Sequence, residues 1–194
     1  EINMKKKQIF ILGFTIAGVM ALAVLFYFVK NSGDGKAISA DFKKAEDYQT
    51  MNGAADSGKL KYPLEIKEVN LEYLLSQKKP VIIDFGADDC VPCRDMAPVL
   101  EKLNAEMQDT AIIQFVDVWK NQKAIGNFPI QVIPAQVFYT ADRKPYIPSA
   151  SVSIPFDYYG FDDSDDIVFT VHQGGLTEDQ MRLIIEDMLK QGGV

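Results

Sequence analysis

Histidine and tryptophan each occur once in these 194 residues and cysteine only twice, and those scarcities remove several chemistries at the outset. A structural zinc centre takes four protein ligands and a catalytic one three. Here there is no second cysteine pair to join the single His172. An iron–sulfur cluster lacks thiolates, and covalent haem needs a histidine directly after the second cysteine, where Arg94 stands. No metal and no separate cofactor is expected. A positive balance is missing too: 27 acidic side chains outnumber 20 basic ones, and four of those lysines precede Asn31. An acidic domain repels phosphate backbones, which argues against nucleic acid as a partner. Internal repeats and low-complexity tracts are absent. With 47% hydrophobic residues the chain reads as globular.

Charge is also absent from Ile9 to Val29, a run of 21 residues. At about 1.5 Å per residue a helix of that length matches a bilayer core of roughly 30 Å. Lys5, Lys6 and Lys7 precede it and Lys30 ends it. Basic residues before a span favour the cytoplasmic side, so residues 1–30 read as a cytoplasmic stub and signal anchor, with the rest extracytoplasmic at the cell membrane. A cleaved signal peptide is the rival reading. Ala21-Leu22-Ala23 has the small-x-small form but lies inside the run, and Ala37-Ile38-Ser39-Ala40 is a weak site further on. Phe26, Tyr27 and Phe28 suit a membrane interface better than a cleavage site.

Residues 31–59 form a linker, beginning with the polar, glycine-rich stretch Asn31–Lys36. A short helix over Ser39–Met51 is expected within it. From Leu60 to Val194 the pattern is regular. Leu64–Val69 alternates like a strand, and Asn70–Gln77 reads as a helix with an Asn cap. Val81–Phe85 is a nearly unbroken apolar strand of the kind buried on both faces. Met96, Val99, Leu100, Leu103 and Met107 then recur at helical spacing. Ala111–Val118, Ala135–Tyr139 and Ile167–Val171 read as strands, Asn121–Asn127 as a helix. An amphipathic helix from Thr177 to Gln191 closes the chain. Strands alternating with helices give an α/β domain around a central mixed sheet.

Both cysteines fall in Cys90-Val91-Pro92-Cys93, where a strand gives way to a helix. A disulfide closing so short a loop hardly constrains the unfolded chain, so a purely structural bridge is a poor explanation. Redox exchange suits the pair and an exported location. The start of a helix offers unpaired N–H groups and about half a positive charge, which favours the attacking thiolate. Cys90 is then the exposed nucleophile and Cys93, one turn inward, the resolving thiol. Pro92 fits the first turn, where its missing N–H is harmless. Asp84 interrupts the buried strand six residues before Cys90. It is either a strand-end carboxylate reaching solvent or a desolvated acid able to exchange a proton with Cys93.

The segment Val81-Ile82-Ile83-Asp84-Phe85-Gly86-Ala87-Asp88-Asp89-Cys90-Val91-Pro92-Cys93-Arg94-Asp95-Met96-Ala97-Pro98 resembles the active-site segment of the thioredoxin family. Val132-Ile133-Pro134-Ala135-Gln136-Val137-Phe138 resembles its cis-proline loop and strand, and Gly174 with the last helix resembles its closing segment. The resemblance covers Leu60 to Val194. It implies a thioredoxin-like fold, catalytic roles for Cys90, Cys93 and Asp84, and the Cys90–Cys93 disulfide itself as redox centre. It implies a cis bond before Pro134, where an ordinary trans turn is the alternative. It also implies client binding by Ile133, Pro134, Val91 and Pro92. Tethered relatives take electrons from a membrane thiol donor of the cytochrome-c-biogenesis type and pass them to exported protein disulfides; the same is implied here.

Two departures bear on this expectation. Gly86 and Asp89 stand where the family usually has tryptophans, so the rim should be smaller and more acidic. Asp88 and Asp89 oppose the helix-end field and leave the Cys90 thiolate less favoured, which suits a reductase better than an oxidase or isomerase. A non-enzymatic binding or chaperone module with a static disulfide is the remaining alternative. The second departure is an insertion at about 143–166, with Pro145, Pro148, Pro155 and a run of aspartates. A connection that long is usually functional or disordered. It reads first as a solvated loop, then as a docking surface, and last as a metal site, since the EF-hand glycine and distal glutamate are missing. His172 reads as structural.

Overall fold

Val81–Gly86 (β2) is buried at every one of its six positions, as a strand covered on both faces must be. In the computed structural model, which describes residues 4–7, 60–161 and 164–192, β2 is an inner strand of a six-stranded sheet, next to one edge. Its other members are β1 (Met4–Lys7), β3 (Ile112–Asp117), β4 (Ala135–Tyr139), β5 (Asp157–Phe161) and β6 (Phe169–Gln173), in the order β1-β5-β6-β4-β2-β3. β2 and β3 run parallel, and every other pairing is antiparallel. The helices are α1 (Leu71–Ser76), α2 (Val91–Glu106) and α3 (Glu178–Gln191).

Alternation along β2 sorts the core into two layers. Val81, Ile83 and Phe85 join Leu74, Val116 and Val137 on one face, while Ile82 joins Met96, Leu100, Phe138 and Ile184 on the other. Full burial of a side chain such as Leu103 or Ile185 contributes about 1.5–3 kcal/mol. The ion pairs linking α2 to α3, Lys102–Glu178 and Arg182–Glu106, lie at the surface and add little beside that. Asp84 and Gly86 share the α2/α3 face. That parity sets a carboxyl group inside an apolar layer.

The helix ends are written in the sequence. Asn70 caps α1 by accepting the Tyr73 N–H at 3.0 Å. Thr177 and Gln180 form a reciprocal capping box on α3. Leu64–Val69 differs from the expected strand: only Glu65 bridges to Phe115 beside β3. Pro63 has no N–H to extend that ladder. Asn121–Asn127 supplies a single 3-10 turn, Gln122–Ile125, and the last strand lies two residues later than its apolar run suggests.

The insertion is a packed part of the domain, with its own strand, and so differs from the solvated loop expected of it. Tyr146 is fully buried and Val152 nearly so. Phe156 sits edge-on to Phe138 and Tyr146. Three prolines interrupt any helical or strand period there, which hid this apolar content. Asp187 on α3 anchors it, accepting bonds from Tyr146 Oη at 2.6 Å, Ser149 N at 3.0 Å and Gln191 Nε2 at 2.9 Å. Burial pushes the Asp187 carboxyl up, but the Ser149, Tyr146 and Gln191 donors outweigh it and hold the group below its ordinary range.

β1 pairs with β5, Met4 opposite Phe161 and Lys7 opposite Tyr158. A cytoplasmic Met4–Lys7 and an extracytoplasmic domain exclude that pairing within one molecule. The apolar run Ile9–Val29 and the helix expected over Ser39–Met51 lie outside the described residues. Among the described residues, no helix is long and apolar enough to cross a membrane.

Candidate functional site

Three chain segments converge at the C-terminal end of β2. The first carries the cysteines: Cys90 caps α2, its Sγ receiving the Cys93 N–H at 3.4 Å, and the two sulfurs are bonded with Cα atoms 5.2 Å apart. The second is the loop before β4, where the Ile133–Pro134 bond is cis. Ile133 packs on Ala87, Cys90 and Cys93, and its carbonyl oxygen lies 3.9 Å from Cys90 Sγ. The third is the turn between β6 and α3. Gly174 N donates to Pro134 O at 2.8 Å and so pins the proline loop. Gly174 has φ +117, a conformation that favours glycine.

Cys90 is more covered than its expected role suggests, with 9% of its surface exposed against 5% for Cys93. Ile133 is the cover. Val91 and Val132 flank the pair with more than half of their surfaces exposed. Pro92 follows Val91 at the start of α2, and its carbonyl faces Gly175. Ile133, Pro134, Val91 and Pro92 are thus brought together around the disulfide.

Asp84 lies beneath them, 1% exposed, in register between Phe115 of β3 and Gln136 of β4. The strand-end alternative, with the carboxylate in solvent, is not what the fold adopts. Desolvation raises the Asp84 carboxyl to about 7, while the Gln136 Nε2 donor, 2.6 Å from Oδ1, works in the opposite direction. A group of that strength changes charge near neutral pH and can serve as acid or base.

The rim differs from its expected form. A Cβ at Gly86 would stand 2.8 Å from the Phe115 ring and 3.3 Å from Cys93 Sγ, so Phe115 fills the room a larger residue would need. A pocket of about 150 Å³ opens beside Cys93, lined in part by Ala87, Arg94, Ala97 and Phe115. Asp88 forms an ion pair with Lys120, which offsets its opposition to the helix end. Asp117 organises this corner, accepting from the Asp88, Trp119 and Lys120 backbones. Burial works against its charge, yet those donors keep the Asp117 carboxyl below its usual range. Asp89 is exposed, and no ion pair reaches it among the described residues.

Gln136, Phe115 and Asp117 escape the sequence reading, although Gln136 carries a legible signal: it breaks the apolar strand Ala135–Tyr139 as Asp84 breaks β2. His172 keeps a structural place, Nδ1 at 2.9 Å from Pro155 O. Among the described residues, no cluster of three or more potential metal ligands occurs.

A family model described as thioredoxin matches residues 63–152. The chain is 34% identical over 68 residues to the thioredoxin of Buchnera aphidicola subsp. Baizongia pistaciae, covering 35% of this chain and 62% of that protein. It is 31% identical over 80 residues to the thioredoxin of Alicyclobacillus acidocaldarius, covering 41% and 76%. With the thioredoxin of Borreliella burgdorferi it shares 30% identity over 96 residues, covering 46% and 82%.

Proposed function

The chain belongs to the thioredoxin family, with a Cys-x-x-Cys pair as its redox centre, and from that premise we propose that it reduces disulfides of exported proteins. The carrying observation is the stack of Ile133 carbonyl, Cys90 sulfur and buried Asp84 at one helix N-terminus. In the reduced protein the Cys90 thiolate attacks one sulfur of a client disulfide, and the other client sulfur leaves as a thiolate. Cys93 gives its proton to ionised Asp84 and attacks Cys90 Sγ. The Cys90–Cys93 bond forms as the mixed disulfide breaks, and the second client sulfur leaves. Two electrons have passed to the client, whose thiolates take protons from water and from Asp84. The Ile133 carbonyl, beside the nucleophile, is placed to receive a backbone N–H of an extended client.

Direction follows from charge at the helix start. Asp89 sits beside Cys90 and weakens the field that would favour its thiolate, so the reduced pair is the better donor. A reduction potential below about −200 mV is expected, with Asp89→Asn shifted toward the oxidising side. Equilibration with glutathione checks both. A potential near about −120 mV, typical of a strong oxidant, would reverse the direction and favour an oxidase.

The apolar run and its lysines support a tether that places the domain outside the cytoplasm, within reach of a membrane thiol donor of the cytochrome-c-biogenesis type. The β1–β5 pairing favours a second arrangement, with the residues on both sides of the run on the outer face of the membrane. A Lys5→Cys variant with Cys90 and Cys93 replaced by serine separates them. Under the tether, a membrane-impermeant thiol reagent labels it only after lysis. Labelling on intact cells would establish the second arrangement.

A further inference from the structure

Asp84 is expected to move the Cys93 proton; what governs Asp84 is a different residue. Gln136 stands opposite it across the β2–β4 ladder, with no exposed surface. Its Nε2 lies 2.6 Å from Asp84 Oδ1, 3.2 Å from Gly174 O and 3.5 Å from Met96 Sδ. Its Oε1 is buried without a hydrogen-bond partner. That arrangement is informative because a buried, unpaired acceptor is unfavourable. Turning the amide over would set Oε1 against both the carboxylate and the Gly174 carbonyl, two acceptors facing a third. Gly174 O therefore fixes the amide with its donors toward Asp84 (amide orientation being assigned from the bonds it makes). The side chain can steady the ionised carboxylate, and in this orientation it offers nothing to accept a proton from the acid.

Resting on the disulfide-exchange reading above, we propose that Gln136 is a positioning residue: it holds Asp84 in the ionised form that takes the Cys93 proton, and so decides the pH at which a client is released. The apolar layer favours the neutral acid, and the Gln136 bond is the one side-chain donor opposing it. The titratable groups facing Asp84 from the elements packed there are few. Cys93 stands in the first turn of α2 and His172 next along the row on β6, while Tyr146 of the same core layer is taken up by its bond to Asp187. From β3 comes only Phe115, and from β4 Gln136 itself.

The test uses the full chain in its reduced form and a peptide disulfide as client. Formation of the mixed disulfide at Cys90 is followed separately from its resolution by Cys93. Gln136→Met keeps the volume and removes the donor. Its resolution step should move its acid limb to higher pH by about one unit, a tenfold slower release below that limb, with Cys90 attack unaltered. In an Asp84→Asn background the same substitution should change nothing, as two residues acting through one interaction require. An unmoved pH profile, or an equal effect in both backgrounds, overturns the proposal while leaving Cys90-dependent exchange intact. Loss of that exchange reading would show instead as turnover that survives Cys90→Ser. Gln136→Leu provides a second variant. Carbon-13 titration of the Asp84 carboxyl, independent of turnover, must move upward in either variant, and an unchanged midpoint sinks the idea.

Discussion

Asp84→Asn should stabilise the fold at alkaline pH by on the order of 4 kcal/mol and remove most of the decline in stability between acid and neutral pH. The sign comes from linkage. Folding lifts the Asp84 carboxyl from an ordinary value near 3.8 to about 7 because burial opposes its charge. Below about pH 4 both states hold the proton, and the favourable contribution is complete. As pH rises toward 7 the unfolded chain releases the proton while the folded one keeps it, so stability falls. Above 7 both states are ionised and the contribution is gone. Asparagine has nothing to ionise, and its side-chain oxygen still accepts the Gln136 donor. Urea denaturation of the oxidised protein at pH 4 and pH 8 measures the effect without thiols titrating, and wild type and variant should agree at the lower pH only. Parallel curves for the two proteins would show that the carboxyl does not carry this charge change. The same variant should resolve mixed disulfides slowly. A charge kept in an apolar layer at a cost in stability accords with the proton-transfer role proposed for Asp84.

Cys93→Ala should accumulate a covalent complex with a client, while Cys90→Ser should lose reductase turnover about a thousandfold or more. The asymmetry is structural. Cys90 caps α2 and lies beside the Ile133 carbonyl, whereas Cys93 sits one turn inward beneath Gly86 and Phe115. Without Cys93 the first attack proceeds and the second has no thiol to make it. Non-reducing electrophoresis reads the trapped species directly, and mass spectrometry identifies the client. Turnover that persists in Cys90→Ser would leave the pair as a static bridge in a binding module.

Most of this site is local in sequence, and for that reason it was legible. The buried strand, the cysteines at a helix start, Pro92, and the polar residue at 84 all fall within one short segment. Strand parity is fixed by alternation, so the burial of Asp84 could be expected once Ile82 and Ile83 were seen to be core. What the sequence hid depends on distant partners. The Phe115 ring occupying the space over Gly86, and the Asp117–Lys120 corner that neutralises Asp88, arise from β3 lying parallel to β2. No local pattern announces which side chain a crossover will bring near. The insertion was obscured differently: its prolines erased the periodicity by which Tyr146 and Phe156 would otherwise have read as core. Leu64–Val69 erred the other way, since its alternation suited a strand, yet one bridge to β3 is all that forms.

Gly174 lends its two backbone groups to different tasks. Its N–H holds Pro134, in the loop against which a client would lie, and its carbonyl holds Gln136, which steadies the buried acid. Grip on the outside and proton traffic on the inside thus hang from opposite ends of a single residue. A substitution that shifts the Gly174 backbone would therefore disturb the proline loop and the Gln136 amide together.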